Sequence, residues 1–269
     1  MKINTENKVV VITGAAGGIG RALCHRFGTA GAKVALLDLN STAIDAAIAE
    51  LQTAGISAIG EICDVTDPVE CRTAMNKVGE HYGKIDVLIN NAGIAHRSAF
   101  VNTDIEVFRR VMDVNYFGAV HCTKPAVPYL IESGGSIIII SSISGFSPLY
   151  GRTGYSASKY ALHGMFESLR TELKESGVHI MMVCPGFTET NIEKNALDGD
   201  GSPTTHPRST TGKIYSPGEV AAAIYNGYTK KKRLLVLSPI GKLAHIVSKL
   251  MPAYYEIAMA KKLKKELDR

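Results

Sequence analysis

Short runs of β-branched and other apolar residues alternate along the chain with longer stretches whose apolar residues recur at helical spacing. Nearly continuous apolar runs are typical of parallel strands that are buried on both faces. The predicted strands are Lys8–Thr13, Lys33–Asp38, Ser57–Cys63, Asp86–Asn90, Gly135–Ser141 and His179–Cys184. The predicted helices include Ile19–Ala30, Ser41–Ala54, Val69–Tyr82 and Ile105–Ala119. The alternation predicts an α/β fold, a single-domain doubly wound parallel sheet with helices on both faces.

The pattern indicates one catalytic domain over residues 1–238 and a C-terminal basic helical extension over 239–269. A stretch rich in Gly, Ser, Thr and Pro, from about Asp198 to Gly212, interrupts the alternation. Such an insert in a compact domain is usually a lid or is disordered, and we interpret residues 187–213 as a substrate lid. In the extension, Pro252 separates a lysine-rich helix that runs to Arg269 from a preceding apolar stripe. The stripe comprises Ile240, Leu243, Ala244, Val247, Leu250 and Met251.

Composition narrows the class of protein. Hydrophobic residues make up 45% and charged residues 20%, which is ordinary for a globular protein and argues against disorder. No apolar run approaches the roughly 18 residues that span a bilayer, and a strand so close to the start leaves no room for a signal peptide. The five cysteines are odd in number and include no CxxC pair. We therefore expect a cytoplasmic protein with reduced thiols and no metal site.

Charge is distributed unevenly along the chain. Residues 230–269 carry 11 Lys and Arg against 3 Asp and Glu, while the preceding residues carry 19 against 22. Because the basic excess is confined to the tail, we expect no nucleic-acid partner. The tail has three interpretations. It could contact an anionic membrane surface peripherally, dock an acidic carrier or coenzyme A, or pack on its own domain with solvated lysines.

A glycine-rich segment, Thr13 to Gly20, follows the first predicted strand and opens a helix. Glycines there permit a tight turn and let backbone amides at the helix N-terminus approach a pyrophosphate, which predicts a Rossmann-type dinucleotide site. The alternative is an ordinary strand-to-helix turn. A P-loop is excluded because no Lys-Ser or Lys-Thr follows the last glycine.

Asp38 ends the second strand, 18 residues beyond Gly20. A carboxylate at this position accepts hydrogen bonds from the ribose hydroxyls and repels a 2′-phosphate, so it favours NAD over NADP. Neither Leu39 nor Asn40 supplies the positive charge that a 2′-phosphate would need. The alternative is that Asp38, or Asn40, caps the following helix.

Tyr155 and Lys159 are four residues apart in a predicted helix, so they share one face. Lowering the pKa of a tyrosine from about 10 to about 7 requires roughly 4 kcal/mol of phenolate stabilisation. An adjacent ammonium and a cationic nicotinamide can supply it. Ser141 and Ser142 close a run of four isoleucines at the strand edge where such sheets bind ligands. Taken singly, each of these residues could be a surface side chain or a cap.

Together these residues resemble the short-chain dehydrogenase/reductase family, in its compact single-domain branch. The likeness covers roughly Lys8 to Leu237. The motifs that carry it appear in order along the chain: Thr13-Gly14-xxx-Gly18-Ile19-Gly20, Asp64-Val65, Asn90-Asn91-Ala92-Gly93, Asn115, Ser142, Tyr155-xxx-Lys159 and Pro185-Gly186.

The resemblance implies four catalytic residues. Ser142, 13 residues before Tyr155, would polarise the substrate carbonyl, and it matches the family's serine better than Ser141 does. Tyr155 would donate or accept the proton. Lys159 would bind the nicotinamide ribose and lower the tyrosine pKa, and Asn115 would anchor a water in a proton relay.

The resemblance also implies the residues that bind NAD. The Asp64-Val65 step would hold the adenine, the segment from Asn90 would line the cofactor, and two threonines would hold the carboxamide. The implied set is Gly14, Gly17, Gly18, Ile19, Gly20, Asp38, Asp64, Val65, Asn91, Ala92, Gly93, Tyr155, Lys159, Pro185, Gly186, Thr188 and Thr190.

The function expected is that of an NAD-dependent oxidoreductase that interconverts a hydrophobic secondary alcohol and its ketone. The alternatives are an acyl-carrier or coenzyme A ketoreductase, which would normally prefer NADP, and a non-enzymatic NAD-binding regulator. We expect a homodimer or homotetramer. The extension puts the usual tetramer in doubt, whereas a dimer through the helix of Tyr155 fits the sequence. Apolar candidates for the substrate pocket are Ala95, Phe146, Leu149, Tyr150 and Phe187.

Overall fold

A computed structural model describes residues 3–192, 194–206, 209–210 and 212–267. Within those residues, seven strands form one sheet in the order β3-β2-β1-β4-β5-β6-β7, and every neighbouring pair runs parallel. The strands are β1 (Val9–Thr13), β2 (Lys33–Asp38), β3 (Ala58–Ile62), β4 (Val87–Asn90), β5 (Ser136–Ile140), β6 (His179–Cys184) and β7 (Leu234–Val236).

Helices cover both faces of the sheet. They are α1 (Gly18–Gly28), α2 (Ser41–Thr53), α3 (Pro68–Tyr82), α4 (Ile105–Met112), α5 (Gly118–Glu132), α6 (Thr153–Glu172), α7 (Pro217–Thr229), α8 (Pro239–Leu250) and α9 (Pro252–Leu263). Because side chains alternate along a strand, Val9 and Val11 pack towards α3, α5 and α6, while Val10 and Ile12 pack towards α1, α2 and α7. The predicted doubly wound α/β fold with a helical extension is confirmed.

One predicted helix differs from the structure. The sequence predicts a helix over Ile105–Ala119, but α4 passes through a π-helical turn, Asp113–Phe117, directly into α5. Helical structure then continues to Glu132 in spite of two internal prolines, Pro125 and Pro128. Each proline removes one backbone hydrogen bond. The apolar face of α5 offsets this loss by packing on the sheet through Ala119, Cys122, Ala126 and Leu130.

The chain reverses its direction of travel across the sheet between β1 and β4. The glycine-rich segment follows β1, and Asn91 to Gly93 follow β4, so both lie at the same edge of the sheet. Open α/β sheets bind ligands in the crevice at such a switch point. The fold therefore brings the first and the central motifs together.

Part of the predicted lid is tied to the loop after β4. Leu197 donates its backbone N–H to Ala95 O and accepts from Arg97 N, each at 2.9 Å. Its side chain is buried against Val107 and Val111 of α4. The predicted lid also includes residues 193, 207, 208 and 211, which lie outside the described residues.

The C-terminal extension forms a helical hairpin of α8 and α9, followed by a 3₁₀ turn at Lys264–Glu266. It packs on the turn after β5, where the ring centroids of Phe146 and His245 are 4.5 Å apart and the hydroxyls of Ser147 and Ser248 are 2.9 Å apart. The predicted lysine-rich helix ends at Leu263, and residues 268 and 269 lie outside the described part. Among the described residues no helix is both long enough and apolar enough to cross a membrane.

Candidate active site

The glycine-rich loop requires glycine at three positions, one of which is Gly18, with a φ of +46°. Gly14 has a φ of +61°, and a Cβ there would lie 2.9 Å from Ala92 Cα. A Cβ on Gly20 would overlap the carbonyl oxygen of Gly14. Helix α1 then begins at Gly18 without a side-chain cap from Gly17, and the space beside Gly17 is open. The N–H groups of the first turn can therefore face a phosphate.

Asp38 lies at the end of β2 and faces this loop rather than capping α2. Its Oδ2 accepts from Ala16 N at 3.0 Å, and its Oδ1 accepts from Asn40 N at 3.2 Å. The cap of α2 is Asn40, whose Oδ1 accepts from Ala43 N at 3.0 Å. Because a carboxylate has about four acceptor positions, Asp38 retains two of them for the hydroxyls of a ribose.

The two residues that the family resemblance implies would hold the adenine, Asp64 and Val65, lie in different environments. Asp64 uses Oδ1 to accept from both the backbone N–H and the hydroxyl of Thr66, at 2.8 and 2.7 Å, which leaves Oδ2 for another donor. Val65 is buried, and its carbonyl oxygen is 3.0 Å from His121 Nδ1. Gly118, at the start of α5, allows Val65 to approach closely.

Thr13 fastens the loop after β4 to the loop after β1. Its Oγ1 accepts from Asn91 N and Ala92 N, both at 3.0 Å. The Asn91 side chain donates in return to the carbonyl oxygens of Thr13 and Gly14, at 2.9 and 3.0 Å. Thr13 opens the glycine-rich motif, but its role does not follow from the motif. The signal that could have found it is a hydroxyl at the end of a buried apolar strand.

Asn115 is buried within the π-helical turn, and such turns occur frequently at functional sites. Its Oδ1 accepts from Ile94 N at 2.8 Å, and its Nδ2 donates to Ile94 O at 3.0 Å. Nδ2 also donates to the hydroxyl of Ser158 at 2.9 Å. Ser158 is fully buried, donates to Tyr155 O at 2.9 Å, and was given no role from the sequence. It joins the π-helical turn to the helix of Tyr155 and Lys159.

Lys159 is 4% exposed on α6, one turn after the half-buried Tyr155. Its Nζ donates to the carbonyl oxygen of Ile140, at the end of β5, at 3.0 Å. The same nitrogen is 5.8 Å from the ring centroid of Tyr155. Burial disfavours the charged form, and it lowers the pKa of Lys159 from an ordinary 10.5 to about 8.

The two serines after β5 face different surroundings. Ser141 is buried and donates to Lys159 O at 3.4 Å, so it packs against the backbone of α6. Ser142 is half-buried, and its Oγ accepts from Ser144 N at 3.1 Å. That bond leaves the hydroxyl proton of Ser142 available for a ligand. The structure therefore favours Ser142 over Ser141 as the ligand-facing hydroxyl.

The segment after β6 returns to the glycine-rich loop. Thr188 is buried and donates to Gly186 O at 3.2 Å, while its backbone pairs with Tyr215. A Cβ on Gly18 would lie 3.0 Å from Thr190 Cγ2, so Thr190 closes over the start of α1. Pro185 and Gly186 are half-buried at the same sheet edge. Both threonines are thus near the crevice, with Thr190 against the loop itself.

A buried ion pair ties the chain beyond α9 to the start of α6. Glu266 is 2% exposed, and its Oε2 accepts from Arg152 Nη2 at 2.6 Å. Its Oε1 accepts from Ser209 N, in the predicted lid, at 2.6 Å. Arg152 precedes Tyr155 by three residues. The tail, the predicted lid and the start of α6 therefore meet at Glu266.

The five candidate pocket residues differ in burial, and two of them, Leu149 and Phe187, are half-buried. Phe146 is buried between the rings of His163 and His245, with centroids 6.0 and 4.5 Å away, so it packs α8 against α6. Ala95 is also buried, while Tyr150 lies at the surface. In the described residues no group of three or more His, Cys, Asp and Glu side chains could hold a metal ion.

Comparison with known proteins decides the family. The family model described as short chain dehydrogenase matches residues 8–200. The chain is a short-chain dehydrogenase/reductase. This assignment confirms the family expected from the sequence motifs, and it places the chain among oxidoreductases.

Relatives of this short-chain dehydrogenase/reductase match it over nearly the whole chain. Dehydrogenase/reductase SDR family member 7B of Bos taurus is 37% identical, over 99% of this chain and 84% of the relative. Dehydrogenase/reductase SDR family protein 7-like of Drosophila melanogaster is 34% identical, over 95% of this chain and 80% of the relative.

A solved structure has the same fold. It is a short chain dehydrogenase/reductase from Burkholderia phymatum in complex with NAD. Its TM-score is 0.81 over 92% of this chain and 96% of that chain, at 24% identity.

Proposed function

We propose that this short-chain dehydrogenase/reductase uses NAD to interconvert a hydrophobic secondary alcohol and its ketone. The observation that carries the proposal is the position of Lys159. Its buried ammonium lies between the carboxyl end of β5 and the ring of Tyr155, where it can stabilise a phenolate. Lys159 has no salt bridge within the part of the chain that the structure describes, and a lysine buried in this way is costly to stability, which argues for a chemical role.

The crevice residues fit NAD. The open first turn of α1 suits a pyrophosphate, and the spare acceptor positions of Asp38 suit an adenosine ribose. The negative charge of Asp38 would repel the additional phosphate of NADP. The proposed NAD-binding residues remain those implied by the sequence, from Gly14 to Thr190. Bound NAD would supply the hydride acceptor for oxidation, and its reduced form the donor for reduction.

The side chains of the site then control the transfer of one proton, that of the substrate hydroxyl. In the oxidative direction Tyr155, as the phenolate, accepts the proton of the substrate hydroxyl. Ser142 donates a hydrogen bond to the same substrate oxygen and holds it in place. Lys159 stabilises the phenolate, and Asn115 has one Oδ1 lone pair left for a water that carries the proton towards solvent.

Assembly, localisation and the lid also belong to the proposal. Large exposed apolar side chains at the end of the π-helical turn and on α5 and α6, namely Phe117, Ile131 and Tyr160, support a homodimer through this surface. We keep residues 187–213 as the substrate lid, because Ser209 meets the tail beside α6.

Five buried free thiols are consistent with a cytoplasmic protein.

The test is a binding and turnover experiment. We expect NADH to bind at least about tenfold more tightly than NADPH, as followed by nicotinamide fluorescence. Apolar secondary alcohols should then reduce NAD, and Tyr155→Phe should lower kcat by at least about a hundredfold while NADH binding persists. A preference for NADPH, with activity only on carrier-bound or coenzyme A substrates, would instead identify an acyl ketoreductase. Binding without turnover across a broad panel would identify a regulator.

A further inference from the structure

Helix α8 presents an apolar face to solvent. It packs on the domain through Gly241, which is buried, and through His245 and Ser248, which contact the turn after β5. The opposite side carries Leu243, Ile246 and Leu250, which are 53–77% exposed. A helix at the surface of a globular protein normally has the reverse arrangement, with its apolar stripe turned inwards.

The exposed apolar surface continues across the bend into α9. There Tyr255 and Leu263 face the domain and are buried, while Met251, Tyr254 and Ile257 are exposed. Seven of the nineteen large apolar side chains that are exposed in the described residues fall within this short segment. We call them the hairpin face: Ile240, Leu243, Ile246, Leu250, Met251, Tyr254 and Ile257. A concentration of exposed apolar side chains of this kind marks an interaction surface.

Positive charge borders the hairpin face. At 100° per residue, Lys242 and Lys249 lie about a quarter turn from the centre of the apolar side of α8. Lys261 shares the outward side of α9 with Tyr254 and Ile257. The carboxylate of Glu266 points inwards to Arg152, so it does not offset this charge at the surface.

The hairpin face is held in a fixed orientation. At one end the Ser238 hydroxyl caps α8 by accepting from Gly241 N at 2.9 Å. At the other end Glu266 is locked to Arg152 and Ser209. Between them, Ser248 contacts Ser147, a few residues beyond Ser142. The face therefore lies beside the candidate active site as a rigid surface and not as a frayed terminus.

We propose that the hairpin face docks on the surface of an anionic lipid bilayer. Its apolar side chains would enter the boundary between headgroups and acyl chains, and the bordering lysines would meet lipid phosphates. The charges argue against a second copy of the chain, because a two-fold contact through this face would bring the lysines of both copies together. The proposal rests on the surface alone and is independent of the reaction.

Vesicle flotation tests the proposal with the full chain. We expect binding to vesicles that contain about 30% phosphatidylglycerol, and at least about tenfold weaker binding to phosphatidylcholine alone. The double variant Leu243→Glu with Leu250→Glu should abolish binding, and the double variant Lys242→Glu with Lys249→Glu should weaken it at least about tenfold. The matched controls, Val101→Glu, which replaces an apolar side chain that is 87% exposed, and Lys174→Glu, should bind as the wild type does.

A tryptophan reporter gives an independent measurement. The chain contains no tryptophan, so Leu250→Trp introduces a single indole on the hairpin face. Anionic vesicles should shift its emission to the blue, and brominated lipids should quench it, whereas Val101→Trp should respond to neither. Absence of binding and of any shift in Leu250→Trp would overturn the proposal. A wild-type dimer that Leu243→Glu with Leu250→Glu dissociates, without lipid binding, would overturn it in favour of a second copy.

Discussion

Among the individual residues, Lys159 should lower the free energy of unfolding at neutral pH. Its pKa in the folded chain is about 8, against 10.5 ordinarily, so burial of the charge costs about 3 kcal/mol below pH 8. Between these two pKa values the unfolded chain binds more protons, so the penalty fades as pH rises. We predict that Lys159→Met stabilises the cofactor-free protein near pH 7 by about 2 kcal/mol, after allowing for the lost bond to Ile140.

Urea unfolding at two pH values measures this effect. The advantage of Lys159→Met should shrink as pH rises from about 8 towards 10.5, while its turnover is lost at every pH. Lys174→Met, which replaces an exposed lysine, serves as the control and should change stability little. A destabilised Lys159→Met protein near pH 7 would contradict the prediction.

Asp38 provides a second test at a single position. Removing its carboxylate in Asp38→Ala takes away two ribose acceptors and the repulsion of a 2′-phosphate. We predict that NADH binds about ten- to a hundredfold more weakly and that the preference over NADPH narrows, with kcat at saturating cofactor little changed. Fluorescence titration of both nucleotides measures this, with Asp45→Ala on the exposed side of α2 as the control. An unchanged NADH/NADPH ratio would exclude the assigned role.

At the scale of elements, the π-helical turn contributes both to the stability of the fold and to the candidate active site, through Asn115. Asn115→Ala removes the side chain that pairs with the half-buried backbone N–H and carbonyl of Ile94 and also breaks the contact with Ser158. We predict a loss of about 2–4 kcal/mol in unfolding free energy and a larger change in kcat than in KM. Asp113→Ala, in the same turn but exposed, should alter neither quantity. Thermal unfolding measures the change in stability, and steady-state kinetics measures the changes in kcat and KM. If Asn115→Ala and Asp113→Ala changed these quantities equally, the prediction would be wrong.

The elements that the sequence predicts well are those whose pattern reflects burial. The predicted bounds of Lys33–Asp38 and His179–Cys184 coincide with β2 and β6, because apolar runs end where buried strands end. Two features have no local signal. The sequence predicts a helix that ends at Ala119, whereas tertiary packing carries α5 to Glu132, past Pro125 and Pro128. In α8 the apolar spacing predicts the helix but does not say which side faces the domain.

At the scale of the whole molecule, the ion pair of Glu266 links three distant segments. We predict that Glu266→Ala releases the tail, so amide protons of residues 252–267 exchange with solvent faster while those of β1 to β6 stay protected. Glu256→Ala, an exposed change in the same helix, should leave exchange unaltered. Hydrogen exchange with mass spectrometry resolves the segments. Uniformly faster exchange would show that the ion pair supports the entire fold instead.

The sequence does not predict those parts of the candidate site that depend on contacts between residues far apart along the chain. Tyr155 and Lys159 are four residues apart in one helix, so their spacing alone predicts that they share a face, and the family resemblance implies Ser142 beside them. Arg152 and Glu266, by contrast, lie 114 residues apart and in no shared motif. Their pairing depends on how α8 and α9 pack, which local patterns do not encode.

The order of strands in the sheet has a consequence for biosynthesis. Each strand after β1 joins an edge that is already present: β2 and β3 extend one side, and β4 to β7 extend the other in turn. No strand has to insert between two that are already paired. A nascent chain can therefore assemble the crevice between β1 and β4 once Gly93 has left the ribosome. The dinucleotide half of the crevice can form in this way before the residues of α6 have been translated.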